Sequence, residues 1–272
     1  MIFFDALAFC GPMKRIDLNC DMGEMPEHIS DGTQEALMRS ITSVNIACGG
    51  HAGDAQTMAE TIEQAMRHKM VIGAHPGYAD RANFGRIELN ISPEEVADSV
   101  YAQVRSLAEV AARYDADITH VKPHGALYNQ AVHHAQLARA IASGVARWSQ
   151  HVVLVGLAGS PMLDVFDDAG FSTFAEAFAD RRYEPDGTLR SRKLNDALIQ
   201  DPAEAAQQAL SIVQGKVVAR GGSEVALHAD TLCIHGDTPG SAQIAAQVAK
   251  TLREAGVMLV HAFPPRRKKR AH

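Results

Sequence analysis

Short apolar runs rich in β-branched residues alternate along the chain with longer segments whose apolar positions recur at helical spacing. Strands are predicted near Arg15–Asn19, Ser43–Ala47, Val71–Ala74, Thr119–Lys122, Val152–Gly156, Ser172–Ala177 and Thr231–Ile234. Start signals mark the helices between them. Ser92, Pro93 and Glu95 combine an N-cap, a proline at the first helical position and a capping-box glutamate, so a helix runs from there to about Arg113. Asp201 and Pro202 repeat that logic. Asp54 caps a helix over Ala55–His68, whose Met58, Ile62, Ala65 and Met66 form one apolar stripe. A hairpin with a Gly221-Gly222 turn is predicted at Val217–Val225.

Seven strand–helix units with no linker between them fit either a closed barrel or an open doubly wound sheet. Polar residues favour the barrel, because they follow strand after strand at its carboxyl end: Asp21 and Glu24, then His51 and Asp54, His75, His124, Asp180 and Arg181, and His235. A β/α barrel opens all those loops onto one face, whereas an open sheet divides them across a crevice. The expectation is an α/β fold, a seven-stranded β/α barrel over residues 14–260 with a small β-hairpin insertion. Residues 1–13 read as a non-domain extension and 261–272 as a basic, disordered tail.

Composition narrows the function. The chain has 272 residues, 46% apolar and 21% charged, and a mean hydropathy of −0.11 without a run long enough to span a bilayer, so no membrane role is expected. The net charge of −6 includes five basic residues in one terminal run, Arg266 to Arg270; without them 32 acidic residues face 21 basic ones, and nucleic acid is not an expected partner. Four cysteines, Cys10, Cys20, Cys48 and Cys233, are widely spaced and form no Cys-x-x-Cys pair, which fits a reducing cytoplasm.

Thirteen histidines carry the candidate chemistry. Either His75 or His124 alone reads as structural, but with His51 they occupy equivalent strand ends, and three such positions point to a site. Strand alternation places Asp17, Asn19 and Asp21 on one side of the first strand, where buried charge is expected only near function. His28, His68, His133, His134, His151, His228 and His261 lack that context, and His120 is undecided. Histidines with an aspartate on one face suit a divalent metal with an open water position, and equally suit metal-free acid–base work. Spacing does not separate the two. No nucleophile elbow and no phosphate loop is present.

Asp17–Glu24, Asn45–Asp54, Gly73–Tyr78 with Asn83–Arg86, Val121–Asn129, Gly156–Ser160, Phe178–Arg181 and Cys233–Asp237 together resemble the LamB/YcsF family, from about Lys14 to Gly256. Members of that family are A subunits of 5-oxoprolinase. The resemblance implies a barrel similar to those of glycoside hydrolases and deacetylases. It also implies ATP-dependent opening of 5-oxo-L-proline to L-glutamate, with ATP as co-substrate of a complex with two partner subunits, B and C. Asp21 or Glu24 is then the expected base, helped by His51 and His124. Lys122, Arg86 or Arg181 are expected to bind the substrate carboxylate or an acyl phosphate, with Asp17, Asn19, Asp54, His75, Asp180 and His235 around the same substrate. A metal, if bound, is expected on Asp21, His75 and His124. The competing readings are a metal-dependent deacetylase or glycoside-type hydrolase, and a non-catalytic binding subunit. Two segments depart from the family pattern. Met25–Ile29 stands in place of a Gly-rich stretch, and Asp196-Ala197, following Arg192 to Asn195, in place of a Gly-Ala pair.

Overall fold

The computed structural model describes residues 13–261; the expected extension and the basic run lie outside them, apart from Met13 and His261. Strands β1 (Arg15–Met22), β2 (Ser43–Ala47), β3 (Val71–His75), β4 (Ile118–Val121), β5 (Val153–Leu157), β6 (Ser172–Phe178), β7 (Lys216–Val218), β8 (Glu224–Ala226), β9 (Thr231–Ile234) and β10 (Met258–Leu259) alternate with helices. The helices are α1 (Pro26–Ser30), α2 (Thr33–Met38), α3 (Ala55–Arg67), α4 (Pro93–Ala111), α5 (Gly125–His133), α6 (Ala135–Ala146), α7 (Pro161–Asp168), α8 (Pro202–Val213) and α9 (Ser241–Glu254). Strands β1 to β6 pair in order and in parallel, β6 pairs with β9, and β9 pairs back onto β1, which closes a seven-stranded barrel. The two-residue β10, absent from the sequence reading, adds to β1 at Arg15 and Ile16. β7 and β8 form the expected antiparallel hairpin, with Gly221 and Gly222 both at positive φ in its turn.

The predicted helix starts hold. Asp54 accepts from the amides of Gln56 and Thr57, Ser92 and Glu95 form a reciprocal capping box, and Asp201 accepts from the amide of Glu204. One apolar cluster lies between the strands and the surrounding helices, with Leu18, Ile46, Ile62, Leu107, Ile141 and Leu232 among its buried members. It is the main hydrophobic core.

Inside the barrel the filling differs. A β/α barrel interior is ordinarily packed with branched apolar side chains, and here only Val153 and Val155, with Val71 and Phe174 against them, form a separate apolar patch. The rest is polar. Asp17 accepts from the hydroxyls of Thr42, Ser43 and Thr231, at 2.7, 2.8 and 2.5 Å. Asn19 donates to Thr231 and to Glu176, and Asn45 donates to both Asn19 and Asp21. At the centre the Lys122 ammonium lies 2.9 Å from Asp21 and 2.8 Å from Glu176. Burial would lower the Lys122 pKa, but the charges of Asp21, Cys233 and Glu176 hold it well above its usual value. His120, undecided from sequence, is an interior residue whose Nε2 donates to Asn45 Oδ1 at 2.9 Å.

The His120 ring fills the space beside Gly73, where a Cβ would land inside the imidazole. Gly73→Ala is therefore expected to destabilise the fold by about 1–3 kcal/mol, read as a lower denaturant midpoint. His120 also sets a pH dependence. Burial, with the charges of Lys122 and His75, pushes its pKa down to about 3, so it stays neutral in the folded chain while the unfolded chain takes up a proton. Between pH 6.5 and about 3 the unfolded state binds more protons, and stability falls as pH drops. His120 contributes on the order of 2 kcal/mol of that loss by pH 5. Denaturant titrations from pH 7 to 5 are expected to show a shallower loss in His120→Gln than in the native chain.

Candidate active site

The carboxyl ends of the strands open onto a cavity of about 690 Å³. Its floor comes from strand ends: Asp21 from β1, Glu24 just beyond it, His75 as the last residue of β3, Lys122 after β4 and His124 at the start of α5. Its wall comes largely from the long segment between β6 and α8, which supplies Arg181, Ser191, Arg192 and Lys193, with Arg86, Asp237 and the paired His133 and His134 at the rim.

The floor is a cluster of ionised carboxylates and buried imidazoles. Glu24 Oε1 meets His51 Nε2 at 2.9 Å, His124 Nδ1 at 3.1 Å and His75 Nε2 at 3.7 Å. Asp21 Oδ1 takes Lys122 and Asn45, and Oδ2 lies 3.2 Å from His75 Nε2. Burial pushes the pKa of both carboxyls up, but the charges of His75 and Lys122 at Asp21, and of His124 together with hydrogen bonds at Glu24, hold both well below the usual carboxylate range. Burial drives the imidazoles the other way, His51 to about 3 and His124 below its ordinary value. Rings of His51 and His124 stack with centroids 3.6 Å apart, a packing that suits neutral imidazoles.

The loop over this stack requires a glycine. Gly85 has φ of +62° and a Cβ there would sit 2.7 Å from the His51 Cβ, so the chain turns tightly enough for the Phe84 carbonyl to accept from His124 Nε2 at 2.9 Å. His75 Nδ1 donates in the same way to the Lys122 carbonyl, at 2.8 Å.

The wall is cationic. Arg181 is buried, donates from Nη2 to the Arg190 carbonyl at 2.6 Å, and its Nε has no hydrogen-bond partner among the described residues. Burial and the charge of Arg192 lower its pKa to about 10. Asp237 pairs with both Arg86 and Arg192, which keeps two guanidiniums at the mouth without mutual repulsion.

The structure gathers Asp21, Glu24, His75, Lys122, His124, Arg86, Arg181 and His235 around one cavity, with His51 directly behind Glu24. Three expected substrate ligands do not line it. Asp17 and Asn19 lie deeper in the barrel, engaged by Thr231 and their neighbours, and do not line the cavity. Asp54 is an exposed helix cap. Asp180 is buried behind His235, to whose ring and amide it is bonded at 2.8 to 3.0 Å, and acts on the cavity only through that ring. Lys122 faces the cavity, but Asp21, Glu176, Cys233 and Asn19 surround its ammonium, so its protons are spent on the barrel interior rather than on a substrate anion. His133 and His134, which nothing in their sequence context singles out, line the cavity, and the sequence marks Arg192 and Lys193 only as part of a divergent loop.

The match to the LamB/YcsF family model covers residues 16–267. The A subunit of 5-oxoprolinase from Chloroflexus aggregans is 47% identical over 246 residues, 90% of this chain and 98% of that protein. The protein of the same name from Bacillus licheniformis is 44% identical over 252 residues, 92% of this chain and 99% of its own. The crystal structure of the lactam utilization protein from Thermus thermophilus superposes with a TM-score of 0.84 at 38% identity, covering 90% of this chain and 99% of that one. A family match that runs across nearly all of the barrel's strands and loops makes this chain a member of the LamB/YcsF family.

Proposed function

We propose that this chain opens the ring of 5-oxo-L-proline to give L-glutamate, working within an ATP-dependent 5-oxoprolinase assembly together with subunits B and C. The observation that carries the reading is the cavity itself, which joins an ionised carboxylate–histidine floor to a wall where the buried Arg181 Nε has no partner among the described residues. A small lactam bearing a carboxylate needs both. The names of the relatives, a 5-oxoprolinase component and a lactam utilization protein, support the same reaction.

Asp21 is the general base of this scheme. Lys122 and Asn45 fix its Oδ1, and it borders the cavity. With the lactam oxygen phosphorylated, water adds to the ring carbon, Asp21 takes the water's proton, the C–N bond breaks as that proton passes to the ring nitrogen, and a second water releases inorganic phosphate from the resulting acyl phosphate. Glu24, held by His51, lies beside Asp21 and orients the water. Arg181, with Arg192 across the wall, binds the substrate carboxylate or a phosphoryl group.

A carboxyl held well below its usual pKa is a weak base, and an unstrained amide is a poor electrophile. Prior activation of the substrate answers both. The sequence has no phosphate loop and no kinase signature, so ATP is used by the assembly, with phosphoryl transfer assigned to B and C. The assembly belongs in the cytoplasm, where the buried thiols Cys20, Cys48 and Cys233 stay reduced.

Co-expression with B and C partners is expected to yield glutamate from 5-oxoproline only when ATP is present. Asp21→Asn is expected to lower kcat by a factor of about 10² or more with little change in KM, and Arg181→Met to raise KM by about tenfold or more. Undiminished turnover in Asp21→Asn would remove the base from this role. Full-rate ATP hydrolysis by the isolated chain would overturn the division of labour.

A further inference from the structure

The hydrogen bonds of His75 and His124 fix their protons on the sides facing away from each other. The Lys122 carbonyl accepts from His75 Nδ1 and the Phe84 carbonyl accepts from His124 Nε2, so in the neutral rings His75 Nε2 and His124 Nδ1 both carry bare lone pairs. Those two nitrogens are 2.9 Å apart. Neither has a hydrogen to offer the other, and the nearest further groups are carboxylates, Glu24 Oε1 at 3.1 and 3.7 Å and Asp21 Oδ2 at 3.2 Å from His75. In that state four electron-rich atoms converge, and the nearest ammonium, Lys122, is engaged by the other oxygen of Asp21. Such a gap calls for a cation.

We propose that Glu24, His75 and His124 form the seat of a divalent transition-metal ion of the zinc type. The three donor atoms make a triangle with edges of 2.9, 3.1 and 3.7 Å. Tetrahedral zinc with bonds of about 2.0–2.1 Å sets neighbouring donors roughly 3.3 Å apart, so the triangle matches without rearrangement. Both histidines already have the backbone-carbonyl partner that orients metal-bound imidazoles and raises their basicity. All three residues line the cavity, which leaves the fourth position open to substrate or water, the pattern of a catalytic rather than a structural site.

His51 stands outside the seat. It does not line the cavity, its Nε2 meets Glu24 Oε1 at 2.9 Å, and its buried Nδ1 has no partner among the described residues. The tautomer that donates to Glu24 leaves only a bare lone pair unpaired, whereas a metal on Nε2 would strand a buried N–H. His51 is therefore a positioning residue for the Glu24 ligand. Asp21, expected from sequence as a ligand, reaches His75 but is drawn off by Lys122. An ion here supplies Lewis acidity and a bound water of lowered pKa, the capacity that a weak carboxylate base lacks. That use rests on the lactam reading, but occupancy of the seat does not.

The test uses the full chain without an affinity tag, stripped with chelator and titrated with Co²⁺ in the absence of substrate. Saturation at one equivalent is expected, with the intense visible bands of a four-coordinate site, erased by one equivalent of Zn²⁺. Glu24→Gln and His124→Ala are expected to weaken metal affinity by about 100-fold or more and abolish the bands, while Asp21→Asn keeps them; circular dichroism confirms which variants fold. Absence of saturable uptake by the native chain overturns the proposal, as do unchanged bands in a folded His124→Ala. In that event a proton shared between His75 and His124 fills the gap, visible as a strongly deshielded imidazole resonance. Metal uptake is read without turnover, so a failed lactam assay leaves this result standing, and the converse also holds.

Discussion

The structure turns on the placement of one ammonium group inside the barrel. Lys122 projects from the end of β4 between Asp21 on β1 and Glu176 on β6, strands that are separated by others around the barrel. Each of these charges alone would be expensive to bury, and the attraction offsets that cost only when geometry is good and the remaining polar atoms are satisfied. Asn19, Asn45, Thr231 and the hydroxyls around Asp17 provide that satisfaction. The polar interior is thus a connected network rather than scattered ligands, and its upper edge is the floor of the cavity. The carboxylate proposed as base is consequently held by the same bonds that fill the barrel.

This dual use explains which residues the sequence revealed and which it misplaced. Alternation correctly put Asp17, Asn19 and Asp21 on one face, but a period of two carries no information about depth, and only Asp21 reaches the cavity. Asp54 had two readings, helix cap and substrate ligand, and the amides of Gln56 and Thr57 satisfied the first. His51, His75 and His124 were legible because each follows a strand, and parallel strands in a barrel deliver their ends to one place. Arg192 and Lys193 have no such marker. They come from an irregular segment between β6 and α8, where side-chain direction is set by contacts between distant residues. His133 and His134 end α5 and face the cavity only because that helix starts at its floor. Glu176 sat within a predicted strand without attracting notice, since its importance lies in a partner on another strand.

Net charge gave a similarly incomplete picture. A strongly acidic body would repel an anion at long range, yet Arg86, Arg181, Arg192 and Lys193 meet at one cavity. At physiological ionic strength exposed charges are screened beyond about 8 Å, so the local groups dominate at the wall. Their mutual repulsion is managed unevenly. Asp237 joins Arg86 and Arg192, while Arg181 is left with an unpartnered Nε and a lowered pKa. A guanidinium in that condition gains more from an incoming anion than one already paired.

The position of Arg181 depends on the loop that carries it. Its Nη2 is fixed by the carbonyl of Arg190, and the Arg190 guanidinium is in turn held by Glu184 and Asp196, each at 2.7 Å. Asp196 thus supports the wall with a carboxylate. The floor is built on strands and anchored through the barrel, and its chemistry is shared by whatever the wall admits. The wall depends on a short relay of side chains within one loop. Differences in substrate among proteins of this fold are therefore expected to arise in segments such as Arg181–Ala197 rather than at Asp21, Glu24 or the histidines, because the loop can change without disturbing the buried charges on which the barrel depends.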